Sequence, residues 1–255
     1  MIEISDLTKR YDEHVVVDSV TLRVEKGETL VLLGGSGSGK TTTLKMVNRL
    51  VEPTSGRVVV AGQDVTCGPP HELRRRIGYV FQRLGLFPHF TVAENIGITP
   101  KLMGWDDARI RARVHTLLEL VELDSALFAS RRPHELSGGQ AQRVAVARAL
   151  AAEPPVLLFD EPFGALDPMT RERLQVSFCE LRKKLGFTSM FVTHDMVEAM
   201  ALGDRVAVMK DGKLLQVGTV HDLAANPADP YVEEIVLAPA RQSSLIAEKL
   251  AGAVR

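Results

Sequence analysis

The chain has 255 residues, of which 45% are hydrophobic, so it is long enough to bury a sizeable core in one large α/β domain or two small ones. Its 31 lysines and arginines are balanced by 32 acidic residues, which argues against nonspecific binding to nucleic acid or to an anionic membrane. The two cysteines, Cys67 and Cys179, are far apart and lack metal-ligand spacing, so neither a disulfide framework nor a zinc site is expected.

The start of the chain and the length of its apolar runs indicate where in the cell the protein is expected. Residues 1–6 lack the basic and then apolar pattern of a secretory signal, and no apolar run approaches the ~18 residues of a membrane span. We therefore expect a chain that stays in the reducing cytoplasm where it is made. Any work at a membrane would need a partner that spans it.

The first third of the chain predicts strands, a glycine-rich loop and a helix. Residues 20–24 alternate apolar and polar side chains, as in a half-buried strand, and residues 29–33 form an apolar run typical of a buried parallel strand. After the loop, residues 41–50 have helical spacing and lead into a Pro-Thr-Ser-Gly turn. Residues 58–60 and 77–81 are further strand candidates.

The middle third changes to a helical pattern. Residues 91–94 form a capping-box start, and an apolar stripe with helical spacing runs through residues 110–121. Strands return at residues 156–160, 189–193 and 206–209, with helix-like segments between them. This alternation predicts an α/β fold with parallel βαβ winding and a helical insert.

Residues 34–41, Gly-Gly-Ser-Gly-Ser-Gly-Lys-Thr, fit the P-loop pattern and lie between a buried strand and a helix, as that pattern requires. In such a loop the backbone N–H groups curl around the β- and γ-phosphates, Lys40 supplies positive charge, and the Thr41 hydroxyl can bind Mg²⁺. The strand–loop–helix setting argues against a chance glycine-rich turn. We predict a site for ATP and Mg²⁺ formed by Gly35, Ser36, Gly37, Ser38, Gly39, Lys40, Thr41 and Thr42.

A second candidate element is the apolar strand that ends in Asp160 and Glu161. The carboxyl end of a parallel strand opens into the ligand crevice, where Asp160 would hold Mg²⁺ and Glu161 would orient and deprotonate the attacking water. Alone, an apolar strand that ends in charges at an exposed loop is the commoner interpretation. Downstream of a P-loop, the Walker B interpretation is favoured.

A third element, Leu136 to Gln140, precedes the helical run 142–150 and places a serine and two glycines at a helix N-terminus. Such a terminus is another phosphate-binding device, although by itself an ordinary N-cap would be the better interpretation. One chain does not need two cradles for one γ-phosphate. We therefore predict that Ser137, Gly138, Gly139 and Gln140 close over ATP held by a second copy, which makes each site a dimer interface.

Together these motifs resemble the ATPases of ABC transporters. The family's elements occur in the same order and spacing, over the chain up to about Tyr231: the P-loop, Gln82, residues 136–140, Asp160, Glu161, residues 165–167 and His194. The resemblance implies a P-loop (RecA-like) core of mostly parallel strands, an N-terminal antiparallel β portion and an inserted helical subdomain. We therefore expect a nucleotide-binding domain at 1–237, with the helical subdomain at about 85–150, and a short helical tail at 238–255.

The resemblance also implies roles for single residues. Tyr11 would stack on adenine, Gln82 would bind Mg²⁺ and sense both the γ-phosphate and the membrane subunit, and Leu166 and Asp167 would line the dimer seam. His194 would contact the γ-phosphate and hold the attacking geometry. Taken singly, Tyr11, Gln82 and His194 would be interpreted as a strand-edge aromatic, a surface amide and a loop histidine, since isolated motif matches are often false.

Residues 45–50, 85–89, 100–105 and 162–168 further resemble ATPases of importers for quaternary-amine osmoprotectants such as glycine betaine, choline, carnitine and proline. Such an ATPase would pair with a second copy or a homologous ATPase. It would act on permease subunits at the cytoplasmic face of the cell membrane, supplied by an extracytoplasmic binding protein, with no nucleic-acid partner. Many members carry regulatory CBS domains after the ATPase; the chain stops before them, so we expect no gating by that module.

The alternatives are an ABC ATPase of another importer or of a lipid or export system. An ABC ATPase of DNA repair is less favoured because the sequence lacks long coiled coils and zinc insertions. A translation factor of this class normally joins two ATPase cassettes in one chain, whereas this sequence has a single P-loop.

Overall fold

The computed structural model describes residues 1–164 and 166–253. The strands are β1 (Ile2–Tyr11), β2 (His14–Val24), β3 (Thr29–Leu33), β4 (Ser55–Val60), β5 (Gln63–Asp64), β6 (Ile77–Val80), β7 (Val156–Asp160), β8 (Thr188–Thr193), β9 (Arg205–Lys210) and β10 (Lys213–Gly218). The helices are α1 (Lys40–Val47), α2 (Pro70–Arg75), α3 (Val92–Leu102), α4 (Asp107–Leu120), α5 (Ser125–Phe128), α6 (Gly138–Leu150), α7 (Pro168–Leu185), α8 (Met196–Leu202), α9 (Val220–Ala225) and α10 (Pro230–Ala253). Ala165 and residues 254–255, which belong to the predicted seam motif and tail, lie outside the described residues.

The strands form two sheets. A four-stranded antiparallel sheet has the order β2-β1-β4-β5, and a six-stranded sheet has the order β10-β9-β3-β8-β7-β6. In the larger sheet the strands from β9 to β6 are parallel, and β10 pairs antiparallel at one edge. The antiparallel N-terminal portion and the mostly parallel core therefore have the predicted arrangement.

The central sheet separates two hydrophobic cores. Every residue of β3 is buried, and its apolar side chains alternate between the cores because successive side chains of a strand point to opposite faces. Leu30 and Leu32 pack with the antiparallel sheet and α1, whereas Val31 and Leu33 pack with the helices on the other face. Burial on both faces explains why the sequence of this strand is a continuous apolar run.

Four segments that carry predicted site residues leave the same edge of this sheet. The phosphate loop follows β3, His194 follows β8, Glu161 follows β7 and Gln82 lies just beyond β6. Because these strands are parallel and adjacent in the order β3-β8-β7-β6, their carboxyl ends lie side by side. Ligands bind at this end of open parallel sheets.

The predicted helical insert contains helices α3 to α6. Thr91 begins α3 with the predicted capping box, in which its hydroxyl accepts from the Glu94 N–H and the Glu94 carboxylate accepts from the Thr91 N–H. Gly97 allows α3 and α4 to approach closely, since a Cβ there would lie 2.8 Å from a methyl group of Ile110. Arg148 of α6 donates to the carbonyls of Leu84 and Gly85, which holds the segment that leads from β6 into the insert against α6.

Two predicted helix boundaries are wrong. The helix after the P-loop ends at Val47, three residues before the predicted end at Leu50, and Leu50 is exposed. The chain turns there through Arg49, whose positive φ of 50° breaks the helix. At the other end, α10 starts at Pro230, so residues from 238 onward continue a longer helix and do not begin a separate one. None of the helices in the described ranges is long and apolar enough to cross a membrane.

Candidate nucleotide site

The phosphate loop is shaped by two glycines that no other residue could replace without rearrangement. A Cβ on Gly34 would lie 2.2 Å from the carbonyl oxygen of Met209 on β9. Gly39, the N-cap of α1, has a φ of 93°, and a Cβ there would lie 2.6 Å from the Val16 carbonyl on β2. The loop is therefore held between the two sheets. Its exposed residues are Gly35, Ser36 and Gly37.

Lys40 lies folded against this loop. Its Nζ donates to the carbonyl oxygens of Gly34 and Gly35 at 2.8 and 2.7 Å and to the Ser38 hydroxyl at 3.2 Å. Burial lowers the pKa of Lys40, and the nearby carboxylates of Glu161 and Asp160 oppose that shift. The ammonium group is thus fixed at the start of α1. A phosphate bound there would be close to a positive charge and to the N–H donors of the helix N-terminus.

Thr41 and Asp160 meet at the junction of α1 and β7. The Thr41 hydroxyl donates to Oδ1 of Asp160 at 2.7 Å, and the hydroxyl of buried Tyr79 donates to Oδ2 at 3.3 Å. Burial raises the pKa of Tyr79, and the charge of Asp160 adds to that rise. A hydroxyl and a carboxylate oxygen beside a phosphate loop fit Mg²⁺, which binds one or two protein oxygens together with phosphates and water. Thr42 follows in the first turn of α1, half-buried.

Glu161 is held by the two neighbouring strand ends. Its Oε2 accepts from Nε2 of Gln82 at 3.1 Å, and its Oε1 lies 3.4 Å from Nδ1 of His194. The residue has a φ of 43°, unusual outside glycine, and its N–H still donates to the carbonyl of Val192 at 3.1 Å. The chain therefore turns sharply at Glu161 while its N–H stays in the hydrogen-bonding pattern of the sheet, which leaves the carboxylate between the ends of β6 and β8.

Tyr11 lies at the end of β1, in the hairpin with β2. The residue is 48% exposed, and Nζ of Lys9 lies 4.7 Å from the ring centroid. The hairpin is near the phosphate loop because Val16, early in β2, borders Gly39. An exposed aromatic ring at this position is available for stacking.

The second cradle lies on the helical insert, against α7. Ser137 caps α6 through a capping box with Gln140, and a Cβ on Gly139 would lie 2.8 Å from the methyl group of Thr170. Asp167 caps α7, and hydrogen bonds from Thr170 lower its pKa. Among the described residues, no hydrogen bond joins residues 137–140 to the phosphate loop of the same chain.

Three residues at or beside the site were missed by the sequence analysis. Tyr79 contacts Asp160, Arg171 contacts both the Leu166 carbonyl and Asp195, and the Tyr231 hydroxyl accepts from the Gly35 N–H at 2.9 Å. No local motif marks them. The one available signal was chemical, since a tyrosine in an otherwise apolar strand needs a partner for its hydroxyl.

Residues 17–164 match the family model of the ABC transporter. The chain is 49% identical over 237 residues to the choline transport ATP-binding protein OpuBA of Bacillus subtilis, a match that covers 92% of this chain and 62% of that protein. It is 48% identical over 234 residues to the glycine betaine uptake system ATP-binding protein YehX of Escherichia coli, covering 92% and 76%. The chain therefore spans less than two thirds of the length of the choline relative.

Among solved structures, the fold resembles the ATP-binding cassette MJ0796 in a dimeric post-hydrolysis state bound to ADP and Pi. The TM-score is 0.76 at 35% identity, and the match covers 86% of this chain and 98% of that one. The chain belongs to the ABC transporter family and has the fold of its ATP-binding cassettes. The predicted family, the predicted fold class and the resemblance to osmoprotectant importer ATPases are confirmed, whereas the roles of single residues stay predictions.

Proposed function

We propose that the chain binds Mg²⁺-ATP and hydrolyses it as the motor subunit of an importer. The observation that carries this proposal is the position of Glu161, whose two carboxylate oxygens face Gln82 and His194 at the sheet edge that also bears Lys40 and Asp160. Four separate segments converge there. A carboxylate so oriented is suited to accept a proton from water in line with a γ-phosphate.

Hydrolysis would depend on positioning and electrostatics. Lys40 and the N–H groups from Ser36 to Thr42 would bind the phosphates, with Gly35 held at the edge of the loop by Tyr231, and Thr41, Asp160 and Gln82 would hold Mg²⁺. When bound, Mg²⁺ neutralises charge on the phosphate oxygens. Glu161 would then take the proton of the attacking water, and His194, next to Glu161, would hold the γ-phosphate in line.

The second cradle supports a head-to-tail dimer with a second copy or a homologous ATPase. Ser137, Gly138, Gly139 and Gln140 present a helix N-terminus that the chain's own phosphate loop does not use, and MJ0796 is dimeric in the state bound to ADP and Pi. Asp167 would lie at the seam, and Tyr11 would stack on the adenine. Closure on ATP and reopening after hydrolysis would move the membrane partners.

The relatives favour quaternary-amine osmoprotectants as cargo, because they are a choline transport protein and a protein of a glycine betaine uptake system. The chain would then act at the cytoplasmic face of the cell membrane, on permease subunits that receive the transported compound from an extracytoplasmic binding protein. The residues proposed here contact ATP and not the cargo, so the choice of transported compound belongs to those other chains.

A pair of variants tests the ATPase mechanism. Glu161→Gln keeps the shape of the side chain but cannot accept the proton, so turnover should fall by roughly 10²–10⁴-fold with nucleotide affinity nearly unchanged. Lys40→Ala should instead weaken binding itself, through loss of phosphate charge neutralisation. Nucleotide titration and phosphate release are measured on the same preparations, alone and with permease subunits. Turnover of Glu161→Gln within a few-fold of the parent would show that Glu161 is not the base.

Tracer uptake tests the cargo. Deleting the gene in a strain without a redundant carrier should reduce uptake of glycine betaine, choline, carnitine or proline under salt stress. Unchanged uptake of all four overturns the osmoprotectant assignment. Co-purification with membrane subunits then distinguishes another importer, or a lipid or export system, from a non-transport ATPase of DNA repair or translation.

A further inference from the structure

A single guanidinium group joins the predicted dimer seam to the segment that carries His194. Arg171 lies in the first turn of α7, and its Nη2 donates to the carbonyl of Leu166 at 3.3 Å. Its Nη1 lies 3.6 Å from Oδ2 of Asp195, the residue after His194. Asp195 in turn caps α8, since its Oδ1 accepts from the Val197 N–H at 2.8 Å.

Behind this link lies a buried polar cluster. The hydroxyl of Thr193 donates to Oε2 of Glu198 and accepts from the Asp195 N–H at 3.0 Å. Glu198 is only 6% exposed, and burial raises its pKa, against hydrogen bonds from Thr193 that lower it. The backbone on both sides of His194 is therefore tied to one network between α7 and α8.

Arg171 has one buried donor in this cluster, its Nε, that meets no hydrogen-bond acceptor within the described ranges. Glu198 lines the same groove between α7 and α8, of about 650 Å³, and the rise of its pKa is opposed by the charge of Arg171 and by a hydrogen bond from the side chain of Gln175. Because buried polar groups are normally paired with protein or with ordered water, the unpaired N–H lets the guanidinium change partners within the cluster without losing a bond.

We infer that Arg171 is a positioning residue that transmits the state of the seam to His194. The inference rests on the proposed ATPase function. Arginine suits this role because its planar group offers five N–H donors in a rigid fork, so a displacement at the Leu166 carbonyl turns the whole group. The turn brings Nε toward Glu198 and changes the contact with Asp195, which moves the backbone that carries His194 relative to Glu161.

The test is a double-mutant cycle between Arg171→Gln and Asp195→Asn. Asparagine caps a helix as well as aspartate, so Asp195→Asn removes the charge and keeps α8. Arg171→Lys is the second variant, since it keeps a charge but loses the fork, and Arg173→Gln is the matched control. The side chain of Arg173 is exposed, and within the described ranges it forms neither a hydrogen bond nor an ion pair. ATP affinity, turnover and thermal unfolding are measured for each protein.

Arg171→Gln and Arg171→Lys should both lower kcat by about three- to tenfold, because neither side chain has the rigid fork, and Arg173→Gln should leave kcat unchanged, with ATP affinity unchanged throughout. The double variant should be no slower than the slower single variant, because two residues that act through one contact are not additive. Multiplicative losses, parent-like turnover in Arg171→Lys, or a loss in ATP affinity that matches the loss in kcat overturn the inference. A parent protein without turnover overturns the proposed function instead.

Discussion

The hydroxyl of Thr41 donates a 2.7 Å hydrogen bond to Oδ1 of Asp160, across 119 residues of sequence. This contact joins the start of α1 to the end of β7, and it brings together the two oxygen donors proposed for Mg²⁺. The carboxylate is also fixed from its other side by Tyr79. Both oxygens of Asp160 are therefore oriented by neighbours before any ligand is considered.

Replacing Thr41 should uncouple nucleotide binding from Mg²⁺. Thr41→Val keeps the shape of the side chain and removes the donor, so ATP affinity with Mg²⁺ should fall by roughly 10–100-fold, the usual cost of disturbing a metal site. Affinity in EDTA should stay near the parent value because Lys40 and the loop N–H groups remain. The control is Thr116→Val on the exposed face of α4. Equal losses with and without Mg²⁺ would contradict the proposed metal role.

Nucleotide should drive association through the second cradle. Glu161→Gln, which prevents turnover, should sediment mainly as a monomer without nucleotide and as a dimer with Mg²⁺-free ATP. Adding Ser137→Arg should abolish the dimer while the monomer still binds ATP, since the exposed Ser137 lies outside the chain's own phosphate loop. The same monomer mass with and without ATP would count strongly against a shared site.

The hydroxyl of Tyr231 should support the phosphate loop from α10. Tyr231→Phe keeps the ring beside Lys210 but removes the acceptor of the Gly35 N–H. A lost hydrogen bond of this type is worth about 0.5–1.5 kcal/mol, so ATP affinity should fall by roughly two- to tenfold. Calorimetric titration measures this, with the exposed Glu234→Gln in the same helix as control. Parent-like affinity in Tyr231→Phe would mean that α10 only packs beside the loop.

The buried carboxyl of Glu198 should make stability depend on pH. Its pKa is raised by burial and by the charge of Asp195, against the opposing effects of hydrogen bonds from Thr193 and Gln175 and of the charge of Arg171. A carboxyl group with a raised pKa in the folded state stabilises the fold most below its unfolded pKa, and this contribution is lost as pH rises through the folded pKa. The Tm of Glu198→Gln minus that of the parent should therefore increase from about pH 4 to about pH 8. A difference that is constant or decreases with pH would contradict this assignment.

The local motifs were predictable because each is contiguous in sequence. Residues 34–41 carry the glycines that the loop backbone requires, and the continuous apolar run of β3 indicates burial on both faces. The capping box at Thr91 and the helix N-terminus at Ser137 each need only a few consecutive residues. The order of these elements along the chain was enough to identify the ABC family. Helix ends were less well predicted, because Leu50 has helical spacing but follows a turn at Arg49.

Only the tertiary structure decided which atoms contact Glu161 and Asp160. The family resemblance placed Gln82, Glu161 and His194 at one γ-phosphate, but the strand order β3-β8-β7-β6 differs from the chain order, so the sequence does not show that both side chains flank the same carboxylate or that Tyr79 reaches Asp160. The contact of Tyr231 with Gly35 spans 196 residues and depends on how α10 packs. Sequence therefore determined the local backbone geometry and the chemical groups, whereas packing of the sheet and helices determined which atoms of those groups meet.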